Sequence, residues 1–269
     1  MEYTKFAHRR EPYRKALDEM KSMNLAFEDY IHHHPAFVGH MNLARFLALY
    51  ETFRRTLGLA GHIAEVGVWR ASGLLYFAKL LKIFEPESAT LVHGFDWYKG
   101  TVWGEDELSP KVQGLIRTSG TSQEETREKS DHEAAELYET VCRLIEMQGL
   151  ANFVHLHNLD VTADLGRFFE EHPHIQFKIV FMDIGSYEAT SACLPHFWPR
   201  LIPGGVMILD QFNHEMSPGE TRAVRELLPD LPVRTFPFTN HPSAYIVKPG
   251  VVPGAGAWAA DCSRWPGWP

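Results

Sequence analysis

The chain of 269 residues is 45% hydrophobic and 22% charged, an ordinary globular composition long enough to bury one large core, or one core with a cap. Its formal charge of −8 and its lack of a long Lys/Arg run exclude a general attraction to phosphate backbones, so no nucleic-acid partner is expected. No apolar stretch approaches the ~20 residues that span a bilayer, so no membrane partner is expected either.

The opening "MEYTKFAHRR" lacks the basic-then-apolar order of a secretory signal, which predicts a cytoplasmic protein. Residues 1–60 read as an N-terminal helical layer. "YRKALDEMKSMNLAFEDYI" and "MNLARFLALYETFRRTLGL" are both helical in pattern, and the second places Leu43, Phe46, Leu47, Tyr50 and Phe53 at three-to-four spacing. The triplet His32, His33 and His34 resembles a metal clip, but consecutive histidines do not face one way on a helix or a strand.

From Ile63 short apolar runs alternate with helical patterns: "HIAEVGV", "GLLYFAKLLKIF", "TLVHGFD", "AAELYETVCRLIEMQGL", "NFVHLHNLD", "FKIVFMDIG", "ACLPHFWPRL", "GGVMILDQF", "TRAVRELL" and "SAYIVKP". This alternation predicts an α/β domain over residues 61–248, its parallel sheet covered on both faces. Residues 99–132 are too long and polar for a tight connection and are read as a lid. The tail over 249–269 is rich in Gly, Pro and Trp and has no period. Cys142, Cys193 and Cys262 are odd in number and widely spaced, which suits reduced packing residues.

Five apolar runs end in an acid: Glu65, Asp96, Asp160, Asp183 and Asp210. A carboxylate ending a buried run is costly unless it has a partner. Capping of the following helix is the plainer explanation, and it suits one such acid better than all five. In an open α/β sheet the ligand lies beyond the carboxyl ends of the strands, where Gly67 and Gly73 mark a turn. That turn, "GVWRASG", is not the GxGxxG of a pyrophosphate site, because bulky Val68, Trp69 and Arg70 stand where the phosphates would approach. A cofactor with adenosine and no phosphates fits better, and S-adenosylmethionine is the candidate. Asp96 is expected on the ribose hydroxyls, Asp160 near the adenine, and the Glu65–Gly67 turn with Val68 and Ser72 beneath the methionine end. Trp69 and Trp97 offer aromatic faces to the sulfonium, though both equally suit packing.

The segments "EVGVWRASG", "GFDWYKG", "MDIGSYEAT", "PRLIPGGVMILDQFN" and "AVRELL…AYIVK", in this order over about residues 40–248, resemble the macrocin O-methyltransferase family. The resemblance implies a Rossmann-like, mostly parallel seven-stranded sheet, S-adenosylmethionine as methyl donor, and a small-molecule acceptor such as a natural-product or polysaccharide sugar. It also implies a magnesium ion held by the acid after the fourth strand and a pair after the fifth. Asp183 and Asp210 match two of these positions, while Gln211 stands at the third and "DIG" replaces the family's "DGD". The ligand set expected is therefore Asp183, Asp210 and Gln211, a weak site filled when a substrate with neighbouring oxygens is present. Asp183 counts among the cofactor-binding and catalytic residues as well.

A sugar hydroxyl needs help to lose its proton, from a base or a metal. Asp131, His132, His155 and His157 are the base candidates. The family places a histidine base in the lid, nearest to His132, while the alternation of His155 and His157 along a strand suits structural roles. A homo-oligomer is compatible with the sequence. The alternatives are a metal-independent N- or carboxyl-methyltransferase, and a non-catalytic cofactor-binding partner subunit.

Overall fold

A computed structural model describes residues 8–99, 136–214 and 217–250. The expected lid over 99–132, apart from Lys99, and the tail beyond Gly250 lie outside the described residues, and so do Asp131, His132 and Cys262.

The helical opening is divided more finely than its pattern suggests. Helix α1 (Arg10–Ser22) and helix α2 (Phe27–His32) are separated at Asn24, whose φ of 49° turns the chain left-handed, and Asp29 reaches back to accept the Ala26 N–H at 3.2 Å. Helix α3 (His34–Phe37) follows, and the three histidines at this junction are exposed. Among the described residues no group of three or more His, Cys, Asp or Glu side chains could hold a metal ion.

Helix α4 (His40–Arg55) buries Ala44, Ala48, Leu49, Thr52 and Phe53. The expected stripe is thus buried in part. Phe53 is buried and Phe46 and Tyr50 pack partly buried against the same core, meeting Tyr76 and Phe84 of helix α5 (Ser72–Phe84), whereas Leu43 and Leu47 remain 38% and 48% exposed.

Strands β1 (His62–Val66), β2 (Val92–Asp96), β3 (Val154–Asn158), β4 (Phe177–Met182), β5 (Leu201–Leu209), β6 (Arg234–Thr235) and β7 (Ala244–Val247) form one sheet in the order β3-β2-β1-β4-β5-β7-β6. β3 through β5 are mutually parallel, and β7 runs antiparallel to both β5 and β6. β4 is buried along its whole length, which accounts for its run "FKIVFM", apolar except for Lys178. Helices α4 and α5, with a helix α6 described over 136–147, contribute one core that includes Phe53, Leu74 and Phe77. Helices α7 (Leu165–Glu171), α8 (Tyr187–Arg200) and α9 (Gly219–Leu227) cover the other face over Phe169, Phe177 and Phe197. The α/β expectation, a mostly parallel seven-stranded sheet with helices on both faces, is borne out. Among the described residues no helix is long and apolar enough to cross a membrane.

The strand order reverses at β1, between β2 and β4, so a crevice opens at the carboxyl ends of these strands. Gly67 sits there with φ +88°, and a Cβ at that position would overlap the Asp183 carbonyl.

Candidate active site

The turn after β1 is tight and left-handed in three places: Gly67, Trp69 at φ 49° and Ala71 at φ 60°. Non-glycine residues hold that conformation only where their surroundings fix it. Here the Trp69 N–H donates to Asp96 Oδ2 at 2.9 Å, the Tyr98 N–H donates to Asp96 Oδ1 at 2.8 Å, and the Ala71 N–H donates to the Val68 carbonyl at 2.8 Å. Asp96 is therefore the clasp between the β1 and β2 turns.

Glu65 lies behind this turn and is 1% exposed. It accepts the Leu74 backbone N–H at the start of α5, whose N-cap, Ala71, has no side chain able to do so. Burial, reinforced by Asp183, raises the Glu65 carboxyl well above its ordinary range.

The cleft beyond the turn encloses about 490 Å³. Of the expected site residues, Gly67, Trp69, Asp96, Trp97, Asp160, Asp183 and Gln211 line it. Glu65, Val68, Ser72 and Asp210 do not: Val68 is in the core, Ser72 faces solvent on α5, and Glu65 and Asp210 are buried behind the wall. Asp160 Oδ1 accepts both the N–H and the hydroxyl of Thr162, at 2.9 and 2.6 Å, and so shapes the loop that walls one end of the cleft.

At the other end, the β4–β5 register continues past the strands. The Asp183 N–H donates to the Val66 carbonyl and the Asp210 N–H to the Met182 carbonyl, which sets the two carboxylates side by side. Between them lies Arg45 of α4. Its Nη2 donates to Asp183 Oδ2 at 2.5 Å and its Nη1 to Asp210 Oδ1 at 2.6 Å, while its guanidinium carbon stands 5.0 Å from the Phe181 ring centroid. The remaining Asp210 oxygen, Oδ2, faces His241 Nδ1 at 3.1 Å, and His241 Nε2 meets His214 Nε2 at 3.2 Å. Burial alone would lower the Arg45 pKa, but Asp183, Asp210 and Glu65 together raise it above its ordinary value. Burial likewise opposes ionisation of Asp210, yet Arg45 and His241 outweigh it and hold that carboxyl low. Burial and the Asp210 charge push Asp183 up to about 8 against the pull of Arg45.

His155 and His157 lie on β3 and do not line the cleft. His157 Nε2 pairs with His93 Nδ1 at 3.0 Å within the sheet, in keeping with a structural role.

A family model described as "Methyltransferase domain" matches residues 64–212, more than half of the chain. The chain belongs to this methyltransferase family. It is 28% identical over 160 residues to the mycinamicin III 3''-O-methyltransferase of Micromonospora griseorubida, a match covering 58% of this chain and 56% of that one. The chain thus matches little more than half the length of that relative. The solved structure of the calicheamicin methyltransferase CalS11 superposes with a TM-score of 0.70 and 22% identity, covering 91% of this chain and 94% of that one. The O-methyltransferase NovP superposes with a TM-score of 0.57 and 20% identity, over 77% and 81% of the two chains. At these identities the likeness is one of fold. The Rossmann-like methyltransferase architecture implied by the macrocin-type motifs is borne out.

The magnesium site implied by those motifs does not fit this member of the family. Asp183 and Asp210 each give an oxygen to Arg45, and a divalent ion between them would lie against a guanidinium of the same sign. The third expected ligand, Gln211, is neutral, and its Oε1 is buried against Gly185, where a Cβ would overlap it. In this arrangement Asp183 and Asp210 form an Arg45-bridged carboxylate pair.

Sequence reasoning passed over Arg45, His241 and the fully buried Glu220, which accepts the Gln211 N–H at 2.8 Å. Arg45 alone carried a signal, since it falls three, four and seven residues before Ala48, Leu49 and Thr52 and so shares their buried face.

Proposed function

We propose that the protein is an S-adenosylmethionine-dependent O-methyltransferase that acts on a hydroxyl of a sugar, free, nucleotide-linked or attached to a natural product. One observation carries the cofactor: Asp96 closes β2 directly beside the Gly67 turn, fixed by two backbone N–H groups and facing a cleft of cofactor size. Each of its oxygens keeps a lone pair for a ribose hydroxyl. The aromatic faces of Trp69 and Trp97 and the acids at the cleft rim suit a sulfonium cation. Val68, Trp69 and Arg70 leave no glycine-lined approach for a pyrophosphate.

The acceptor class follows from the relatives, since one matched protein is named a mycinamicin III 3''-O-methyltransferase and another a TDP-rhamnose 3'-O-methyltransferase. Bound S-adenosylmethionine supplies an electrophilic methyl group for in-line displacement, and the chain contributes alignment. Asp183, on the cleft wall, receives the proton of the attacking hydroxyl; His132, assigned to the same task from the sequence, lies outside the described residues. Divalent-metal assistance is no part of this reading, because Arg45 already bridges the two acids it would need. Cytoplasmic residence belongs to the proposal and is supported by the free thiols of Cys142 and Cys193.

The test is calorimetric titration with S-adenosylmethionine, followed by transfer of labelled methyl to a panel of nucleotide-activated and glycosylated sugars. Label in a sugar ether supports the proposal. Label in an amine or ester instead moves it to N- or carboxyl-methylation, and saturable binding without turnover identifies a cofactor-binding partner subunit.

A further inference from the structure

The geometry points to Arg45 as a built-in cation that holds Asp183 and Asp210 in register and makes the site independent of divalent metal. This rests on the proposed methyltransferase site and assigns a positioning residue within it.

Three observations support it. The first is bridging geometry: one guanidinium donates through two different nitrogens to two different carboxylates, at 2.5 and 2.6 Å. A planar fork satisfies two acceptors at fixed separation, which a flexible ammonium does poorly. The second is burial. The Arg45 side chain is 19% exposed, Asp210 5% and Asp183 22%, so the charges meet where screening is weak. Without a cation, Asp183 and Asp210 would stand side by side, weakly screened, with no countercharge between them. The third is competition for the same oxygens. A hard divalent ion requires about six oxygen ligands and gains most from full carboxylate charges. Here each carboxylate is already engaged by Arg45, and Asp210 also by His241.

The consequence for the reaction is positional. Asp183 is on the cleft wall, while Arg45 is not among the residues lining the cleft, so Arg45 acts through Asp183. It fixes the carboxylate that faces the acceptor hydroxyl.

The test measures metal binding directly, by the quenching of Mn²⁺ paramagnetic resonance and by sensitised Tb³⁺ luminescence, on the full chain without substrate. The wild-type protein is expected to show no site that Asp183→Asn abolishes. Arg45→Ala is expected to gain one, tightening Mn²⁺ binding about tenfold or more, and Arg45→Lys to suppress it again. A merely structural arginine would not convert a metal-blind protein into a metal-binding one.

If Arg45→Ala fails to fold, the wild-type titration and the conservative Arg45→Lys protein still decide. Mn²⁺ bound by the wild type and lost in Asp183→Asn overturns the inference, and so does methylation abolished by EDTA and restored by Mg²⁺. Full methylation in excess EDTA supports it. If no acceptor is methylated, the enzymatic reading fails on its own, while the metal titration still judges Arg45.

Discussion

Gly73 packs so closely on Glu65 that a Cβ at position 73 would overlap Glu65 Oε1. The strand acid and the second glycine of "GVWRASG" are one device: the carboxyl reaches the first turn of α5, and the glycine leaves room for it. Glu65 is fully enclosed, so it cannot swing aside as a surface side chain would. Gly73→Ala is expected to lose about 1–3 kcal/mol of stability, the usual cost of overpacking a filled core. Urea denaturation checks this, and an unchanged midpoint would show that the enclosure yields easily.

Asp96 has two duties, and a variant separates them. Asp96→Ala removes the acceptor for the Trp69 and Tyr98 N–H groups and the proposed ribose contact together, and is expected to weaken S-adenosylmethionine binding by roughly 1.5–3 kcal/mol in calorimetry. Asp96→Asn keeps one carbonyl oxygen and should recover part of the loss. Identical affinity in all three proteins would remove Asp96 from the cofactor site.

A buried ion pair away from the cleft provides a contrast in sign. The Lys178 ammonium, with 0% side-chain exposure, donates to Glu85 Oε2 at 2.5 Å and stands 5.5 Å from the Phe53 ring centroid. Burial lowers its pKa, and Glu85 opposes that shift. Glu85→Ala leaves the charge without its partner and is expected to cost about 3–5 kcal/mol, whereas the double variant Lys178→Met/Glu85→Leu should come close to neutral. Comparing the melting of the two variants tests the pair. Equal damage from both would mean that shape, not charge, matters there.

Stability should fall on mild acidification because of the histidines within the sheet. Burial, then the neighbouring His157, lowers His93 from 6.5 to about 2. Below pH 6.5 the unfolded chain takes up a proton at this position while the folded chain does not, so stability is lost as pH falls through the window from 6.5 towards 2. At pH 5 the His93 contribution alone is about 2 kcal/mol, at 1.36 kcal/mol per unit. Denaturant curves at pH 7 and pH 5 measure it, and His93→Gln should flatten the difference. A pH-independent midpoint in the wild type would contradict the burial of His93.

The sheet was legible because parallel strands buried on both faces are predominantly apolar, as in "FKIVFM" and "VMIL", where only the ion-paired Lys178 breaks the run. β6 was not, since two residues carry no period. The row of strand-end acids was legible for the same reason: parallel strands deliver their carboxyl ends to one edge. What partners those acids was harder to read. Arg45 is 138 residues from Asp183, and a charged residue in a helix is ordinarily solvated. The stripe of α4 was half legible: Phe46, Tyr50 and Phe53 pack on the core as their spacing suggests, but the two leucines do not. Ala44 and Ala48 go inward and Leu43 and Leu47 outward, and in that orientation Arg45 comes to face the sheet.

The anchorage of α4 through Leu49, Phe53 and Arg45 bears on where the polypeptide can be cut. A shortened protein starting at residue 61 would keep every strand and every acid, yet it would lose a wall of the core and the countercharge of Asp183 and Asp210 together. The smallest autonomous piece therefore begins upstream of His40. For the same reason, exchanging the leading helices for those of a relative would exchange the electrostatics of the acidic strand edge, because the residue that balances it is inherited with the helix.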